Sequence, residues 1–227
     1  MRTVAIIPSA GTGTRAGFVI PKQFLKIKGK EILAYTLNQF QRSELIDEIV
    51  VVTSESGFEI TEKIKSQFGF NKITKIIEGG KERQDSVYNG LKSISNYQPD
   101  TIVAVHDAAR ALITVSVIDK SIVTAKKTGG ALVCLNARDT LLQNVEGVKK
   151  YPDRRNFSLV QTPQVFRLSD LLTAFERAYK ENFYGTDESS LMLKYGFDFE
   201  IVEGSVFNFK ITNREDVEIF EKLCEDF

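Results

Sequence analysis

The chain has 227 residues, 42% of them hydrophobic, 10% aromatic and 26% charged, enough to bury a sizeable core without disulfides or a metal cage. Thirty Lys and Arg balance 30 Asp and Glu, so no net field is available to hold duplex nucleic acid, and no run approaches the ~18 apolar residues of a membrane span. Two cysteines, Cys134 and Cys224, and a single histidine, His106, are too few for a Cys/His metal cage, and the stretch Val4–Ile7, halted by Pro8, is too short for a signal-peptide core. A cytoplasmic protein without nucleic-acid or membrane partners is the expectation.

In chain order, short β-branched runs at 3–8, 48–53, 72–78, 101–106 and 131–135 alternate with amphipathic stretches at 32–42, 57–68, 85–95 and 116–127. This rhythm predicts an α/β fold with a mostly parallel sheet covered by helices on both faces. Val50-Val51-Val52 and Ile102-Val103-Ala104-Val105 are apolar on both faces, as central strands require. After Leu135 the rhythm breaks. Segments 139–143 and 147–151, joined around Asn144-Val145-Glu146-Gly147, read as a hairpin too small to bury its own faces, so that an arm spanning 137–157 packs on something else. Helical patterns return at 167–180 and 187–194, followed by short strands at 198–202 and 207–211 and a last helix from Asn213. With no repeat, low-complexity tract or linker, residues 1–227 read as one domain.

The first strand runs into Ser9-Ala10-Gly11-Thr12-Gly13-Thr14-Arg15-Ala16-Gly17. Glycines there let backbone N–H groups approach phosphate oxygens. Gly11-x-Gly13-x-x-Ala16 also fits a loose dinucleotide fingerprint, but its context fails. Pro21 and Gly29 delay the first good helix to about Ile32, and the second strand ends too late to supply the ribose-binding acid. No Walker lysine follows a second glycine. What the stretch offers is Arg15 and Lys22 in a segment, 1–30, that holds no Asp or Glu, which suits a triphosphate with a pyrophosphate leaving group.

Ser9 to Arg15 followed by Pro21-Lys22-Gln23-Phe24-Leu25 resembles the nucleotide loop of the 2-C-methyl-D-erythritol 4-phosphate cytidylyltransferases of the non-mevalonate isoprenoid pathway. Further strings fall in that family's order: Glu78-Gly79-Gly80-Lys81-Glu82-Arg83-Gln84-Asp85-Ser86-Val87, Val105-His106-Asp107-Ala108-Ala109-Arg110, Arg138-Asp139-Thr140, Gln161-Thr162-Pro163-Gln164 and Asn208-Phe209-Lys210-Ile211-Thr212. The resemblance spans essentially the whole chain, and His-Asp-Ala-Ala-Arg is its most diagnostic string. It implies a Rossmann-like twisted sheet of the nucleotidyltransferase type with a protruding β-hairpin arm. It also implies transfer of a cytidylyl group from CTP to methylerythritol phosphate with release of pyrophosphate.

Site roles carried by the resemblance follow. Arg15 and Lys22 match residues that stabilise developing charge, and Lys210 matches a cation that orients both phosphates. Ser9, Ala10, Gly11, Gly13, Gly80, Ser86 and Asp107 match nucleotide-binding positions, with Gly80 and Ser86 on the cytosine side. Asp107, Arg110, Thr140 and Thr162 match positions around the acceptor. The arm is expected to clasp a second subunit in a homodimer and deliver Thr140 and an arginine, Arg154 or the adjacent Arg155, into the partner's site. Mg²⁺ is expected to be held mainly by the CTP phosphates with no dedicated protein cage, Asp107 being the acid expected to approach it. The chain departs from the family at Ala16, where methionine is common, at Ala111, usually proline, and at Ser158, commonly tryptophan.

Plainer roles are assigned to other eye-catching residues. His106, at the end of an apolar strand, reads as a structural histidine, because attack by an already ionised phosphate needs no base. Cys134 and Cys224 read as small core hydrophobes. Asp187 and Glu188 read as acids in the first turn of a helix capped near Thr186. The closest rival function is a ribitol-5-phosphate cytidylyltransferase, which shares the loop and the Gln-Thr-Pro-Gln segment; Arg83 to Val87 resembles the methylerythritol enzyme more. Rivals of other classes are a nicotinamide-dependent oxidoreductase and a nucleotide-binding module without turnover.

Overall fold

A computed structural model describes residues 1–11 and 20–224, so Gly13, Arg15 and Ala16 lie outside the described residues. β1 (Thr3–Ser9) is a buried strand whose alternation sends Val4 and Ile6 to one layer and Ala5 and Ile7 to the other. β2 (Lys26–Ile27) and β3 (Lys30–Glu31) form a small hairpin, and its turn residues Lys28 and Gly29 have φ of 50° and 81°, the mirror-image turn that suits strand twist. Next come α1 (Ile32–Arg42), β4 (Glu48–Thr53), α2 (Phe58–Phe68), β5 (Ile73–Glu78), α3 (Arg83–Ser93), β6 (Ile102–Val105), α4 (Val115–Thr128) and β7 (Gly130–Asn136). The chain ends with β8 (Gln143–Val145), β9 (Val148–Lys150), β10 (Ser158–Arg167), α5 (Leu168–Lys180), α6 (Glu188–Lys194), β11 (Glu200–Glu203) and α7 (Arg214–Leu223).

Seven strands form one sheet in the order β11-β7-β10-β6-β1-β4-β5. All pairings are parallel except those of β10, which runs antiparallel to both β6 and β7. On one face Ala5 and Ile7 pack with Leu33, Leu37 and Phe40 of α1, Ile64 of α2 and Ile118 and Ile122 of α4. On the other, Val4 and Ile6 pack with Val87 and Leu91 of α3, Leu171 and Phe175 of α5, and Leu191 and Met192 of α6. Each fully buried Val, Leu, Ile, Met or Phe among them contributes on the order of 1.5–3 kcal/mol, so both layers are needed to hold the sheet. A third cluster joins Ile32 and Tyr35 to Ile211 and to Phe220 of α7, tying the C-terminal helix to the loop that precedes it.

Two expectations need correction, and one strand, β10, falls where no strand is predicted. Residues 207–211 are not a strand but a loop, held at several points by hydrogen bonds to Gln161, Thr162, Arg110 and Ala109. The segment Gln161 to Gln164 lies inside β10, in the middle of the sheet; the ladder shifts register between Val160 and Gln164, which is how the sheet accommodates Pro163 and its missing N–H. α6 is capped by Asp187 itself, whose side chain accepts the Ser190 N–H, and only Glu188 lies in the first turn.

The arm turns over two residues, Glu146 and Gly147, with φ of 48° and 82°, so its paired segments are shorter than the sequence pattern suggests. Its base is closed where the Ala137 N–H donates to the Phe157 carbonyl at 3.0 Å. The fold's main opening follows from strand order. β4 and β5 extend to one side of β1 and β6 lies on the other, which leaves a crevice beyond the carboxyl ends of β1 and β6.

Candidate active site

A cavity of about 690 Å³ occupies that crevice. β1 delivers Ser9, Ala10 and Gly11 to its wall; the turn after β5 delivers Gly80, Lys81, Glu82 and Arg83; β6 delivers Asp107. Ser86 lies on α3, and the loop before α7 contributes Lys210 and Thr212. Lys22, in a short 3-10 turn, lines the same cavity. Sequence-distant residues therefore converge because the strands that carry them end at one edge.

On the glycine side, the buried Gln23 amide donates to the carbonyls of Ser9 (2.6 Å) and Gly11 (2.9 Å), so the start of the loop is held from behind. Ser9 Oγ is buried and has no hydrogen-bond partner among the described residues, which leaves a hydroxyl available to a ligand. Opposite it, the Ser86 hydroxyl accepts the Gly80 N–H at 3.1 Å and donates to the Glu82 carbonyl at 3.2 Å. Gly80 has a packing reason to be glycine: a Cβ there would stand 2.2 Å from Asp85 Cβ and 3.2 Å from the Asp85 backbone. Asp85 cannot retreat, since it closes a capping box with Glu82 and accepts Tyr179 Oη at 2.6 Å.

The far side of the cavity is a charge cluster. Asp107, 7% exposed, meets Arg83 Nε at 2.9 Å through Oδ1 and Lys210 Nζ at 2.9 Å through Oδ2, with Arg110 Nε at 3.7 Å. Burial raises the carboxyl's pKa, but Arg83, Lys210 and Arg110 outweigh it and hold Asp107 far below the usual carboxylate range. Arg83 in turn places its two terminal nitrogens on Glu188, at 2.7 and 3.0 Å. Three cations thus face two carboxylates, with Lys22 at the rim, so the pocket keeps a positive surplus suited to phosphate. Lys210 is placed by its loop: Gln161 bonds both Ser205 and Asn208, Asn208 donates to the Thr162 carbonyl, and Arg110 Nη1 donates to the Asn208 carbonyl.

His106 is fully buried, its ring 5.0 Å from that of Phe40. Burial pushes its pKa down to about 3, so it is neutral across the working range and no acid–base catalyst. Thr162 is 4% exposed behind Asp107, and its hydroxyl contacts His106 Nδ1 and the Asp107 N–H. Thr140 and Arg154 sit on the exposed arm and line no part of this chain's own cavity. Arg154 donates to the Arg138 carbonyl, whereas Arg155 folds back onto Asp153 through Nε and Nη2.

The structure therefore brings together Ser9, Ala10, Gly11, Lys22, Gly80, Ser86, Asp107, Arg110 and Lys210, leaves Thr140 and Arg154 apart, and says nothing of Gly13 and Arg15. Sequence reasoning missed Arg83, Glu188, Gln161 and Gln23 as parts of the site. Arg83 stood inside a quoted motif, and its basic charge beside a phosphate pocket was the one available signal. A partner 105 positions away, as Glu188 is, leaves no trace in local pattern.

Comparison with known proteins agrees with this geometry. A family model described as 2-C-methyl-D-erythritol 4-phosphate cytidylyltransferase matches residues 3–225. Relatives of that name from Geotalea uraniireducens (strain Rf4) and Clostridium botulinum (strain Loch Maree / Type A3) are 41% and 42% identical, over 99% and 97% of this chain and 97% and 96% of theirs. The crystal structure of 4-diphosphocytidyl-2C-methyl-D-erythritol synthase from Anaerococcus prevotii DSM 20548 superposes with a TM-score of 0.85 at 25% identity, covering 99% of this chain and 96% of that one. The 2-C-methyl-D-erythritol 4-phosphate cytidylyltransferase of Francisella tularensis gives a TM-score of 0.80 at 33% identity over 96% and 98%. The chain belongs to the 2-C-methyl-D-erythritol 4-phosphate cytidylyltransferase family.

Proposed function

We propose that the cavity binds CTP and 2-C-methyl-D-erythritol 4-phosphate and transfers the cytidylyl group between them, as a step of isoprenoid precursor synthesis in the cytoplasm. A non-bridging oxygen of the acceptor phosphate attacks the α-phosphorus in line, the bond from α-phosphorus to the bridging oxygen breaks, and pyrophosphate leaves with that electron pair. No protein nucleophile is required, so the chain acts by positioning and by neutralising charge. The observation that carries this reading is the triple cation contact on Asp107 beside Lys22, which faces the glycine loop of β1 across one cavity.

In this scheme Ser9, Ala10 and Gly11, with Gly13 and Arg15, receive the triphosphate, and Gly80 and Ser86 present backbone and hydroxyl groups to the cytosine edge. Lys22, with Arg15, stabilises charge growing on the leaving group, while Lys210 bridges the two reacting phosphates. Asp107 holds Lys210 and Arg110 in place for the acceptor. Mg²⁺ supplies further neutralisation of the triphosphate when it is bound. Both Asp107 oxygens already face cations, a donor set that suits an ion carried on the nucleotide's phosphates rather than on side chains.

The arm supports a homodimer. Leu142, Val145, Val148, Tyr151, Phe157, Leu159 and Val160 are between 43% and 76% exposed on the hairpin and the strand leading from it, an apolar surface that a second copy of the chain would cover. Thr140 and Arg154 then complete the partner's acceptor site. Arg154 is favoured over Arg155 because the charge of Arg155 is already paired with Asp153, whereas Arg154 meets only the neutral Arg138 carbonyl. The chemistry is tested with an acceptor whose phosphate oxygens carry ¹⁸O: the label is expected in the diphosphate product and absent from the pyrophosphate. Label in the pyrophosphate would exclude attack at the α-phosphorus.

A further inference from the structure

Four buried groups at the carboxyl end of β6 are linked by hydrogen bonds that phosphate chemistry alone does not use. His106 Nε2 lies 3.2 Å from the Arg110 carbonyl oxygen, and His106 Nδ1 lies 2.9 Å from Thr162 Oγ1. Thr162 Oγ1 accepts the Asp107 N–H at 3.1 Å. A carbonyl can only accept, so Nε2 carries the ring proton and Nδ1 is left as an acceptor. The Thr162 hydroxyl must then give its proton to Nδ1 and use a lone pair for Asp107.

The alternatives fail on the same contacts. An imidazolium would make both ring nitrogens donors, so Thr162 would accept twice and its own proton would point at no acceptor, beside the Arg110 cation and inside a fully buried site. An Nδ1–H tautomer would leave Nε2 and the Arg110 carbonyl as two acceptors face to face. One directed chain therefore runs from the Asp107 N–H through Thr162 and His106 to the Arg110 carbonyl. It closes on the turn in which the Arg110 N–H donates to the Asp107 carbonyl at 3.1 Å, and so holds both ends of the segment whose side chains face the cavity.

We infer that His106 and Thr162 are positioning residues for the transfer: they fix the Asp107–Arg110 turn, and Thr162 commits its hydroxyl proton to His106 and has none to offer an incoming phosphate. This deepens the role expected for Thr162 and rests on the cytidylyl-transfer reading. The base and most of the triphosphate are held by other elements, Ser9 of β1 and Gly80 and Ser86 beyond β5, so loosening the turn weighs on Asp107, Lys210 and the acceptor and reaches CTP only at the α-phosphate that Lys210 bridges.

The test exploits the chain's single histidine. In protein labelled with ¹⁵N-histidine, a long-range nitrogen–proton correlation at pH 7 reports one imidazole, expected to be neutral with the proton on Nε2. Steady-state kinetics then compare Thr162→Val, which keeps shape and loses the hydroxyl, with Thr162→Ser, which restores it. Thr162→Val is expected to lower kcat/KM for the acceptor on the order of 10-fold, with the KM for CTP within about two-fold and Thr162→Ser close to the parent. An imidazolium or Nδ1–H tautomer, unchanged turnover in Thr162→Val, or an equal rise in the KM for CTP would each overturn the inference. The tautomer measurement needs only the unaltered chain, so it stands if the valine variant fails to fold. Absence of turnover in the unaltered chain would strike the function and leave the tautomer result in place.

Discussion

Replacing Glu188 by alanine removes the carboxylate that anchors Arg83. Glu188 is 1% exposed and accepts both terminal nitrogens of Arg83, at 2.7 and 3.0 Å, while Arg83 Nε remains on Asp107 at 2.9 Å. Breaking a buried ion pair from one side costs roughly 3–5 kcal/mol, because the other charge stays behind unpaired. Arg83 keeps Asp107 and 28% of its side-chain exposure, so the low end applies, about 3 kcal/mol. For a chain of this size each kcal/mol lowers Tm by roughly 2–4 °C, which places the expected drop at about 6–12 °C in a thermal melt. Turnover falls as well, since an unanchored Arg83 swings with Asp107 and displaces the carboxylate that holds Lys210. Glu188→Gln, which keeps an acceptor and loses the charge, is expected to fall between the parent and Glu188→Ala. A Tm within about 2 °C of the parent for Glu188→Ala, a shift worth at most about 1 kcal/mol, would show that Arg83 is held by something other than this pair.

Gly80→Ala forces a Cβ to within 2.2 Å of Asp85 Cβ, so the Gly79-Gly80 turn must move away from Ser86; the KM for CTP is expected to rise on the order of 10-fold with the acceptor KM little changed, read by initial rates. Acid lowers stability through His106. The unfolded chain takes up a proton below a pKa of about 6.5 and the folded chain only near 3, so stability falls by about 1.4 kcal/mol per pH unit between those values. Urea unfolding at pH 5 is therefore expected to give about 2 kcal/mol less from this group than at pH 7, a component that vanishes in a folded His106→Gln variant. Lys22→Ala and Arg154→Ala are each expected to lower kcat on the order of 10²-fold. Heterodimers of the two inactive chains are expected to recover turnover by pairing an intact Lys22 with an intact Arg154. No recovery in verified heterodimers would place the whole site within one chain.

The parallel half of the sheet was legible because its strands are apolar on both faces; Val50 to Val52 and Ile102 to Val105 can sit only between two helical layers. β10 was hidden for the opposite reason. Gln161, Thr162 and Gln164 are polar yet 5% exposed or less, each engaged with a different neighbouring segment: Gln161 with the Lys210 loop, Thr162 with Asp107, Gln164 with Asp187 and Ser189. A strand whose side chains serve as struts has no hydrophobic period to find, and Pro163 argues against a strand until the register shift is seen. The error at 207–211 has the same root: Phe207, Phe209 and Ile211 alternate like a strand, but Asn208 between them is buried and bonded to β10. Ser9, Ala10 and Gly11 after β1 and Asp107 after β6 could be singled out, and they line one cavity, because a loop at a strand end carries its own signal and needs no distant partner to be noticed. Arg83 and Glu188 could be joined only by the fold.

Cytidylyl transfer is measured most directly as pyrophosphate release from CTP and Mg²⁺ with 2-C-methyl-D-erythritol 4-phosphate and ribitol 5-phosphate offered separately, the products being weighed by mass spectrometry. Release is expected to depend on the methylerythritol phosphate and to give a product of the mass of 4-diphosphocytidyl-2-C-methyl-D-erythritol. Release with ribitol 5-phosphate alone would contradict the acceptor assignment, and silence with both acceptors from a folded protein would contradict catalysis by this cavity.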